Sequence, residues 1–280
     1  MPDIVPQLTI SFIILTWNSE KYLKSCFESI IDKCRREQMP FEVIVVDNGS
    51  LDGSCEVVKS YQKHLPDAFH LIALDFNKGT TYPRNLGLRQ AKGDFICILD
   101  SDTELGEGSL REVLYRLSPE ARVGMVAPRL LLPGGIVQNS VKQFPTMLDK
   151  LMKVPRIVFG IGTKNGDFYA DFPFQEEREV DTAISACWFF HKALLDKVGH
   201  LDENIFYAPE DIDYSLRVWH AGHSLLYVPS FTVLHHTQQI THRKPFSKTS
   251  LSHFRGLVYY YAKHGGWFLR PTFKADSRHV

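Results

Sequence analysis

Apolar side chains in the first hundred residues follow two alternating spacings. Continuous β-branched runs predict strands buried on both faces at residues 8–16, 41–46, 70–74 and 94–99. Between these runs the apolar residues recur at helical spacing, and the capping residues Asn18-Ser19 and Asp52 precede two of the segments. A third helix is expected near residues 84–91. Strands that alternate with helices through short loops predict a parallel sheet with right-handed crossovers.

The second half of the chain has a less regular pattern. Residues 128–180 are rich in Pro, Gly and Phe, which predicts short strands and loops. The elements expected after that are a strand at 182–190, a helix from Pro209 to about Ala221, and strands at 223–228 and 231–236. The whole pattern is typical of an α/β protein whose second half carries the irregular loops.

Length and composition agree with a folded globular protein. The chain has 280 residues, of which 44% are hydrophobic and 23% are charged. These values exclude a disordered chain and suit one large domain, alone or with a modest appendage. Lys plus Arg and Asp plus Glu both number 32. Because binding to a phosphate backbone requires an excess of basic residues, no nucleic-acid partner is expected.

Cysteine usage and the length of the apolar runs indicate in which cellular compartment the protein is expected. Five cysteines occur without any C-x-x-C pair. This argues against a disulfide scaffold or a thiolate zinc site and fits the reducing cytoplasm. The first residues lack the basic and apolar regions of a signal peptide, and no run of about 18 apolar residues predicts a membrane span.

Polar residues gather where the predicted strands end. They are Thr16, Asn18, Asp47, Asn48, Asn77, Asp100 and Asp102. Because parallel sheets bind ligands beyond the carboxyl ends of their strands, we expect these residues to share one site. Residues 1–100 contain neither G-x-G-x-x-G nor G-x-x-x-x-G-K-[ST]. A nicotinamide-binding Rossmann protein and a P-loop NTPase are therefore disfavoured.

Asp100-Ser101-Asp102 is the first candidate for chemistry. Two carboxylates two residues apart supply the oxygen ligands that Mg²⁺ and Mn²⁺ prefer, and such a metal can bridge a diphosphate. An acidic turn after a strand is the alternative, but the position after the fourth strand of a βαβ array favours the metal site. Asp47 suits a hydrogen bond to a ribose or base edge, or else a cap or Asx turn with Asn48-Gly49.

The second half adds acids and imidazoles. Glu210-Asp211 begins a predicted helix, where an acid either serves as a general base or simply suits the helix dipole. Asp213 and Arg217 are four residues apart and predict a structural ion pair. His235-His236 ends a strand, so only one ring faces a given site. That ring is either a further metal ligand or a packed side chain beside a solvated one.

These motifs, in this order, resemble family 2 inverting glycosyltransferases of the GT-A fold. The matching stretches are Thr16-Trp17-Asn18, Val46-Asp47-Asn48-Gly49-Ser50 with Asp52-Gly53-Ser54, Asn77-x-Gly79 with Asn85-x-Gly87, Leu99-Asp100-Ser101-Asp102-Thr103, Glu210-Asp211-x-Asp213 with Arg217, Gly222, Tyr227-x-Pro229 and Val233-Leu234-His235. They span about residues 8–265. The second-half pattern is most similar to rhamnosyltransferase-type enzymes of bacterial polysaccharide assembly. At 79–85 the chain departs from the family pattern, because bulky Tyr82 and Pro83 stand where small apolar residues are usual.

The resemblance implies a mostly parallel sheet flanked by helices, and a role for each candidate residue. The residues implied to contact the nucleotide donor are Thr16, Asn18, Asp47, Asn77, Asn85, Asp100 and Arg243. Asp102, with Asp100 and His235, would hold Mn²⁺ or Mg²⁺. Asp211 would be the catalytic base with Glu210 beside it at the substrate, and Trp188 would form part of the sugar or acceptor wall. The reaction would be a single displacement with inversion at the anomeric carbon.

The expected activity is that of a metal-dependent transferase of the hexosyltransferase type. It would move a sugar from a UDP-, dTDP- or GDP-linked donor to a saccharide or lipid-linked acceptor, in the cytoplasm or at the inner membrane face. Residues 1–242 would form one catalytic domain, with its nucleotide-binding half at about 8–105 and its acceptor half at 106–242.

Residues 243–280 are predicted to form a basic, aromatic helix and tail. They contain eight Lys or Arg and one acid. Arg243 and Lys244 would close over phosphates or lie in a solvated loop, and one helix face would consist of Leu251, Phe254, Val258 and Tyr261. The segment either rests on an anionic membrane surface as a peripheral contact or packs on the core.

Two other functions are weighed against the transferase. A sugar-phosphate nucleotidyltransferase would carry a Gly-rich, basic loop after its first strand, and residues 15–20 contain no glycine. A non-catalytic nucleotide-sugar or glycan-binding protein would not need the base and metal candidates, and Asp100, Asp102, Asp211 and His235 are all present.

Overall fold

The structure is a computed structural model that describes residues 9–151, 169, 172–237, 248–271 and 273. Its first half alternates strands and helices. They are β1 (Ile10–Thr16), α1 (Glu20–Arg36), β2 (Phe41–Asp47), α2 (Ser54–His64), β3 (Phe69–Ala73), α3 (Thr81–Gln90) and β4 (Phe95–Asp100). The four predicted strands are thus confirmed to within two residues at each end. The third helix begins three residues earlier than predicted, because Pro83 lies in its first turn, where a missing N–H leaves no helical hydrogen bond unmade.

The second half contributes shorter elements and two longer helices. They are β5 (Thr103–Leu105), α4 (Leu110–Tyr115), β6 (Val123–Leu132), β7 (Ile136–Val137), β8 (Val141–Lys142), α5 (Met147–Leu151), β9 (Arg178–Glu179), β10 (Thr182–Ala183), β11 (Cys187–His191), α6 (Leu194–Val198), α7 (Glu210–His220), β12 (Ser224–His235) and α8 (Lys248–His264). The predicted helix after Pro209 is confirmed as α7.

One large mixed sheet connects the two halves. Its strand order is β3-β2-β1-β4-β11-β6-β12-β5. The pairs among β1 to β4 are parallel, as is β6 with β12, whereas β11 runs antiparallel to both of its neighbours. Helices α1, α2 and α4 bury their apolar residues on one face of the sheet, and α3, α6 and α7 do so on the other. The carboxyl ends of β1, β2 and β4 therefore meet at one edge, as the sequence pattern predicts.

The strand predicted at 182–190 is wrong as a single element. Thr182–Ala183 pairs with β8 in a separate two-stranded sheet, and only Cys187–His191 joins the large sheet. Between them the chain turns, and the Ala186 carbonyl accepts a hydrogen bond from the Asp100 amide. The strands predicted at 223–228 and 231–236 are instead one strand, with a register shift between Val228 and Thr232. Pro229 lies at that irregularity, where a ladder hydrogen bond is not required of it.

Of the helix face predicted from Leu251, Phe254, Val258 and Tyr261, Tyr261 is confirmed as buried, and Phe254 and Val258 are wrong. In α8 the buried side chains are Leu257, Tyr260 and Tyr261, while Phe254 and Val258 are exposed and the Leu251 side chain lies outside the described residues. The rotation follows from Gly256, where a Cβ atom would lie 2.1 Å from the Ala208 carbonyl oxygen. Because only glycine permits this approach, the Gly256 side of the helix faces the protein.

Helix α8 packs on the second half of the domain rather than extending from it. Its buried residues form a cluster with Phe144 and with Ile212 and Leu216 of α7. The packed alternative for the C-terminal segment is therefore confirmed for α8. None of the helices in the described ranges has the length and apolar character that crossing a bilayer requires.

Candidate active site

A cleft of about 290 Å³ opens at the carboxyl edge of the sheet. It is lined by Leu15, Thr80, Arg84, Asp100, Ile184, Ser185, Ala186, Tyr207, Ala208, Glu210, Asp211 and His235. Residues from the ends of β1, β4 and β12 thus meet the start of α7. The cleft joins the acids predicted from the first half of the sequence to the base candidates of the second half.

Asp100, Asp102 and His235 form the one cluster among the described residues with the ligand set of a metal site. One ligand atom from each lies within 4.8 Å of the others, and His235 Nε2 is 3.6 Å from Asp102 Oδ1. The cluster forms because β12 pairs antiparallel with β5 and brings His235 opposite Thr103. Two carboxylates and an imidazole suit Mn²⁺ or Mg²⁺, so the residues present fit the metal that the sequence predicts.

The charges in this cluster shift the acidity of its members. Burial raises the pKa of Asp100, as does the Asp102 carboxylate, while Arg84 opposes the shift. At His235 burial lowers the pKa, but the hydrogen bond to Asp102 and the two carboxylate charges outweigh burial and raise it. Arg84 balances only part of the negative charge of the two carboxylates, which is an electrostatic condition that favours binding of a divalent metal.

Gln138 contacts the ring of His235, the histidine that faces Asp102. His235 Nδ1 lies 2.8 Å from Gln138 Oε1, so an N–H at Nδ1 leaves Nε2 with its lone pair toward the acids. His236 instead places Nε2 2.6 Å from Glu104 Oε1 and stacks on Tyr22. The assignment that the sequence left between the two rings thus falls on His235. Gln138 itself could not be found from the sequence, because only the turn from β6 into β7 brings it there.

We expect Gln138→Leu to weaken Mn²⁺ binding by about 10–100-fold, because a ligating imidazole depends on the partner of its second nitrogen. The measurement is a titration of Mn²⁺ in the presence of a nucleoside diphosphate. His236→Gln is the matched control and should change the affinity less than about twofold. The reverse order, with His236→Gln losing the metal and Gln138→Leu keeping it, would contradict the assignment.

Arg84 is a central residue of the cleft that sequence analysis missed. Its guanidinium is buried and donates to Asp100 Oδ1 at 2.6 Å, to Ser185 Oγ at 2.9 Å and to Glu210 Oε1 at 3.3 Å. It therefore links the metal cluster to the start of α7. The available signal was an arginine in the 79–85 segment, but nothing in the local pattern indicates that acids 16 and 126 residues away would meet it.

Glu210 and Asp211 occupy different environments although they are neighbours. Glu210 is buried, and its Oε1 also accepts a hydrogen bond from Ser185 Oγ at 2.9 Å. Burial and the Asp211 charge raise the pKa of Glu210 to about 7, against the opposing effect of Arg84. Asp211 is partly exposed at the cleft, and its Oδ1 accepts a hydrogen bond from the backbone amide of Ile212. Both acids line the cleft, and Asp211, the more exposed of the two, is the better placed to accept a proton from a bound hydroxyl.

We expect Glu210→Gln to flatten the pH dependence of the free energy of unfolding between about pH 5 and 8. A carboxyl whose pKa is raised on folding stabilises the fold most below its unfolded pKa of 4.5, and this is lost as pH rises through about 7. Between pH 5 and 8 the free energy of unfolding of the wild type should therefore fall by about 1–3 kcal/mol more than that of Glu210→Gln. It is measured by urea unfolding of metal-free protein at several pH values.

Glu203→Gln is the control for that experiment. Hydrogen bonds from Asn85 and Arg89 lower the pKa of Glu203, so its contribution has the opposite sign and is present above pH 4.5. The Glu203 variant should therefore lose stability at neutral pH rather than gain it relative to the wild type. Equal pH profiles for wild type and Glu210→Gln would contradict the raised pKa.

Asp213 anchors α7 behind the cleft. The predicted ion pair with Arg217 is confirmed, with Nε 2.9 Å from Asp213 Oδ2. The buried Asp213 also accepts hydrogen bonds from Lys263 at 2.8 Å and His264 at 2.7 Å, both on α8. Two helices are thereby tied together two residues after Asp211. The contacts fix the helix that carries the candidate base.

Asp47 and Thr16 lie side by side at the ends of paired strands and are both buried. Asp47 Oδ1 accepts a hydrogen bond from the Ser50 amide at 2.9 Å, so the Asx-turn alternative applies to this oxygen. Asp47 Oδ2 and Thr16 Oγ1 have no nitrogen or oxygen partner among the described residues. Buried polar atoms without partners are costly, so this pair fits a ligand that supplies hydrogen bonds.

Two residues predicted to contact the donor or acceptor, Asn85 and Trp188, are wrong. Other predicted residues stabilise turns. Asn85 is buried, and its side-chain amide forms hydrogen bonds with the backbone of Leu201 and with the carboxylate of Glu203. Trp188 has no exposed surface and stacks on Tyr214 in the core, because its side of β11 faces α7 and not the cleft. The cleft wall is made instead by Ser185 and Ala186.

Asn77 and Asn18 lie at the predicted edge, where both stabilise turns. Asn77 Oδ1 accepts a hydrogen bond from the Gly79 amide at 2.9 Å. Asn18 is exposed, has a φ of 52°, and accepts a hydrogen bond from the Leu51 amide at 2.8 Å. The role predicted for Arg243 lies outside the described residues.

Comparison with known proteins agrees with this geometry. The sequence pattern of "Glycosyl transferase family 2" matches residues 11–199, which is more than half of the chain. The "N-acetylglucosaminyl-diphospho-decaprenol L-rhamnosyltransferase" of Mycobacterium tuberculosis (strain ATCC 25618 / H37Rv) is 27% identical over 293 aligned positions, which include 97% of this chain and 88% of the relative.

Solved structures with the same fold include two that were determined with nucleotides. GalNAc-T7 with UDP, GalNAc and Mn²⁺ superposes with a TM-score of 0.69 at 17% identity, over 92% of this chain and 48% of that one. S. aureus TarS 1-349 in complex with UDP-GlcNAc gives 0.53 at 20% identity, over 85% and 61%. The chain spans less than two thirds of each. The two structures are GT-A glycosyltransferases, so the GT-A fold predicted from the sequence is confirmed.

Proposed function

Because the chain belongs to glycosyl transferase family 2, we propose that it is a metal-dependent, inverting enzyme acting on a nucleoside diphosphate sugar. The acceptor is a saccharide or lipid-linked hydroxyl of polysaccharide or cell-surface glycan assembly. The observation that carries the proposal is the cleft, which has the Asp100–Asp102–His235 cluster at one wall and Asp211 at another. Direct displacement needs a stabilised leaving group and a base for the incoming hydroxyl, and these two groups meet that need.

The residues of the cleft have different roles in such a displacement. Asp100, Asp102 and His235 would hold Mn²⁺ or Mg²⁺, which when bound supplies charge neutralisation for the leaving diphosphate. Asp211 accepts the proton of the acceptor hydroxyl as that oxygen attacks the anomeric carbon. Arg84 holds Asp100 and Glu210 in place through its hydrogen bonds. Because one displacement without an enzyme nucleophile inverts the configuration, a single base is sufficient.

Thr16 and Asp47 form the proposed contact for the nucleoside. Their buried oxygens, Asp47 Oδ2 and Thr16 Oγ1, have no nitrogen or oxygen partner in the described part of the chain and suit the hydrogen-bonding groups of a base or ribose. The donors considered are UDP-, dTDP- and GDP-sugars. The printed descriptions of the two solved relatives name UDP and UDP-GlcNAc, and the mycobacterial relative is described as a rhamnosyltransferase with a diphospho-decaprenol acceptor. These names support a lipid-linked diphosphate sugar as the first acceptor to test.

The cytoplasm is the proposed site of the reaction. All five cysteines are free thiols, and four of them are buried. A protein that keeps free thiols without disulfides suits a reducing compartment. Neither of the alternative functions gains support from an observation at the cleft, because residues 15–20 offer no glycine loop and the base and metal candidates converge on one cavity.

A transfer assay tests the proposal. Purified protein with Mn²⁺ is incubated with UDP-, dTDP- and GDP-sugars and a GlcNAc-diphospho-polyprenol acceptor, and the product is identified by mass spectrometry. We expect one donor class to give a glycosylated lipid whose new anomeric configuration, read by NMR, is inverted. Pyrophosphate release from a nucleoside triphosphate and a sugar phosphate would favour the nucleotidyltransferase. Tight donor binding without transfer to any acceptor would favour the binding protein.

A further inference from the structure

The hydroxyl of Tyr207 lies in the cleft without a partner. Tyr207 is one of the residues that line the cleft, and its side chain is partly buried there. Within the part of the chain that the structure describes, no group forms a hydrogen bond with this hydroxyl. A tyrosine hydroxyl that is removed from water usually has a hydrogen-bond partner, because an unpaired polar group is costly. A molecule bound in the cleft can supply that partner.

The backbone before Tyr207 is held against the segment that begins α3. The Thr80 amide donates a hydrogen bond to the Phe206 carbonyl at 2.6 Å. Gly79 permits this approach, because a Cβ atom there would lie 2.0 Å from the Phe206 carbonyl oxygen. Since Thr80 itself lines the cleft, the contact fixes the chain that carries Tyr207 to one wall of the cleft.

Neighbouring charges show where along the cleft the phenol lies. Burial raises the pKa of Tyr207 to about 12, and the charges of Glu210 and Asp100 act in the same direction. Arg84 opposes them, and Asp211 has the smallest effect of these four groups. The phenol therefore keeps its proton at neutral pH, and it lies between the metal cluster and the start of α7 rather than beside the candidate base.

This part of the cleft is where the transferred sugar has to lie in the proposed reaction. The diphosphate is at the metal and Asp211 receives the proton of the incoming hydroxyl, so the sugar occupies the space between them. Both hydrogen bonds that Glu210 accepts from other side chains, those of Ser185 and Arg84, fall on Oε1. Its Oε2 has no side-chain donor within the described ranges. One sugar hydroxyl can therefore donate to Glu210 and accept from Tyr207.

We propose that Tyr207 is a specificity-determining residue that donates a hydrogen bond to a hydroxyl of the sugar on the nucleotide donor. The inference rests on the proposed function, because it takes the cleft to hold a nucleoside diphosphate sugar. A site built to bond a hydroxyl rejects an analogue that lacks it, since the partner in the protein is then left unpaired. Tyr207 thereby favours a donor sugar with a hydroxyl toward the start of α7 over the corresponding deoxy sugar.

Titration of the protein with nucleotides and nucleotide sugars tests the inference without any need for turnover. The probes are UDP, dTDP and GDP, and the donors UDP-GlcNAc, dTDP-rhamnose and GDP-mannose, each with Mn²⁺. We expect Tyr207→Phe to bind the nucleoside diphosphate within about twofold of the wild type, and the matching nucleotide sugar about 3–10-fold more weakly. The variant keeps the ring and loses one neutral hydrogen bond, whose net contribution lies in that range.

Tyr115→Phe is the matched control, because it removes the same hydroxyl from an exposed tyrosine of α4 that does not line the cleft. It should change neither affinity by more than about twofold. The inference is overturned if Tyr207→Phe binds the nucleotide sugar as the wild type does, or if it loses affinity for the nucleoside diphosphate by the same factor. It is also overturned if only the KM for the acceptor rises, since the hydroxyl would then contact the acceptor.

Donor analogues that each lack one sugar hydroxyl identify the group that Tyr207 contacts. The wild type should lose affinity for one of them, and the loss for that analogue should be about 3–10-fold smaller in Tyr207→Phe, because the bond is already absent. Losses that simply add for every analogue would overturn the inference.

Failure of the proposed function gives a different result. Wild-type protein that binds none of the three nucleotides with Mn²⁺ would contradict the proposed function, and the inference with it. Metal-dependent nucleotide binding and sugar transfer by the wild type, with equal donor affinity in Tyr207→Phe, would overturn the inference alone.

Discussion

Asp211→Asn is expected to lower kcat by about 10³-fold while leaving nucleotide binding unchanged. The amide keeps the size of the carboxylate and can accept the same hydrogen bond from the Ile212 amide, which lies 2.9 Å from Oδ1. It cannot accept a proton from an attacking hydroxyl. Because Asp211 faces the cleft and is not part of the metal cluster, the donor should bind with wild-type affinity.

The measurement compares steady-state transfer with nucleotide binding by titration in the same preparations. Asp75→Asn is the matched control, because Asp75 is an exposed acid that does not line the cleft, and it should change kcat less than about twofold. Near-normal transfer by Asp211→Asn would show that another group accepts the proton. Loss of both transfer and nucleotide binding would show that Asp211 acts through the structure of the site.

Arg84→Met is expected to destabilise the protein by about 3–5 kcal/mol and to abolish transfer. Its guanidinium is the one cation among the described residues within hydrogen-bond distance of both Asp100 and Glu210. Without it, the buried Glu210 carboxylate loses its charge partner and the partly exposed Asp100 loses its hydrogen bond at 2.6 Å. Removing one partner of a buried ion pair leaves this full penalty, which is why the effect exceeds that of a surface pair.

Denaturant unfolding of the metal-free protein measures this effect. The control is Arg122→Met, which breaks the exposed pair with Glu179 and should cost no more than about 1 kcal/mol. Combining Arg84→Met with Glu210→Gln should restore part of the lost stability, because one buried charge is then removed with its partner. A loss below about 1 kcal/mol for Arg84→Met would contradict the role of the buried guanidinium.

Local sequence pattern was sufficient for the first half of the fold. The runs that became β1 to β4 are apolar on both faces, and their polar ends at Asp47 and Asp100 mark the edge where ligands bind. Periodicity decides such elements because burial on both faces tolerates few polar residues. The metal cluster could be proposed for the same reason, since two of its members end one strand.

Long-range packing decided the parts that pattern alone could not reach. Trp188 and Asn85 have the residue types of a binding site, yet the packing of β11 and α3 against the second half buries both. Arg84 and Gln138 join the candidate site only through partners that are distant in sequence. In α8 the helical spacing of apolar residues predicted that Phe254 and Val258 would be buried, but both are exposed. The close contact at Gly256 sets the rotation of the helix instead.

The most direct test of the central claim is a thermal-shift panel of UDP, dTDP and GDP, each with and without Mn²⁺. A ligand that binds only the native state at about 100 times its Kd stabilises that state by about 2.7 kcal/mol, which raises the Tm by roughly 5 °C for a chain of this size. The account predicts that one nucleotide gives this shift only with Mn²⁺, and that Asp102→Ala abolishes it. No shift with any of the three nucleotides, or a metal-dependent shift that persists in Asp102→Ala, would contradict the account.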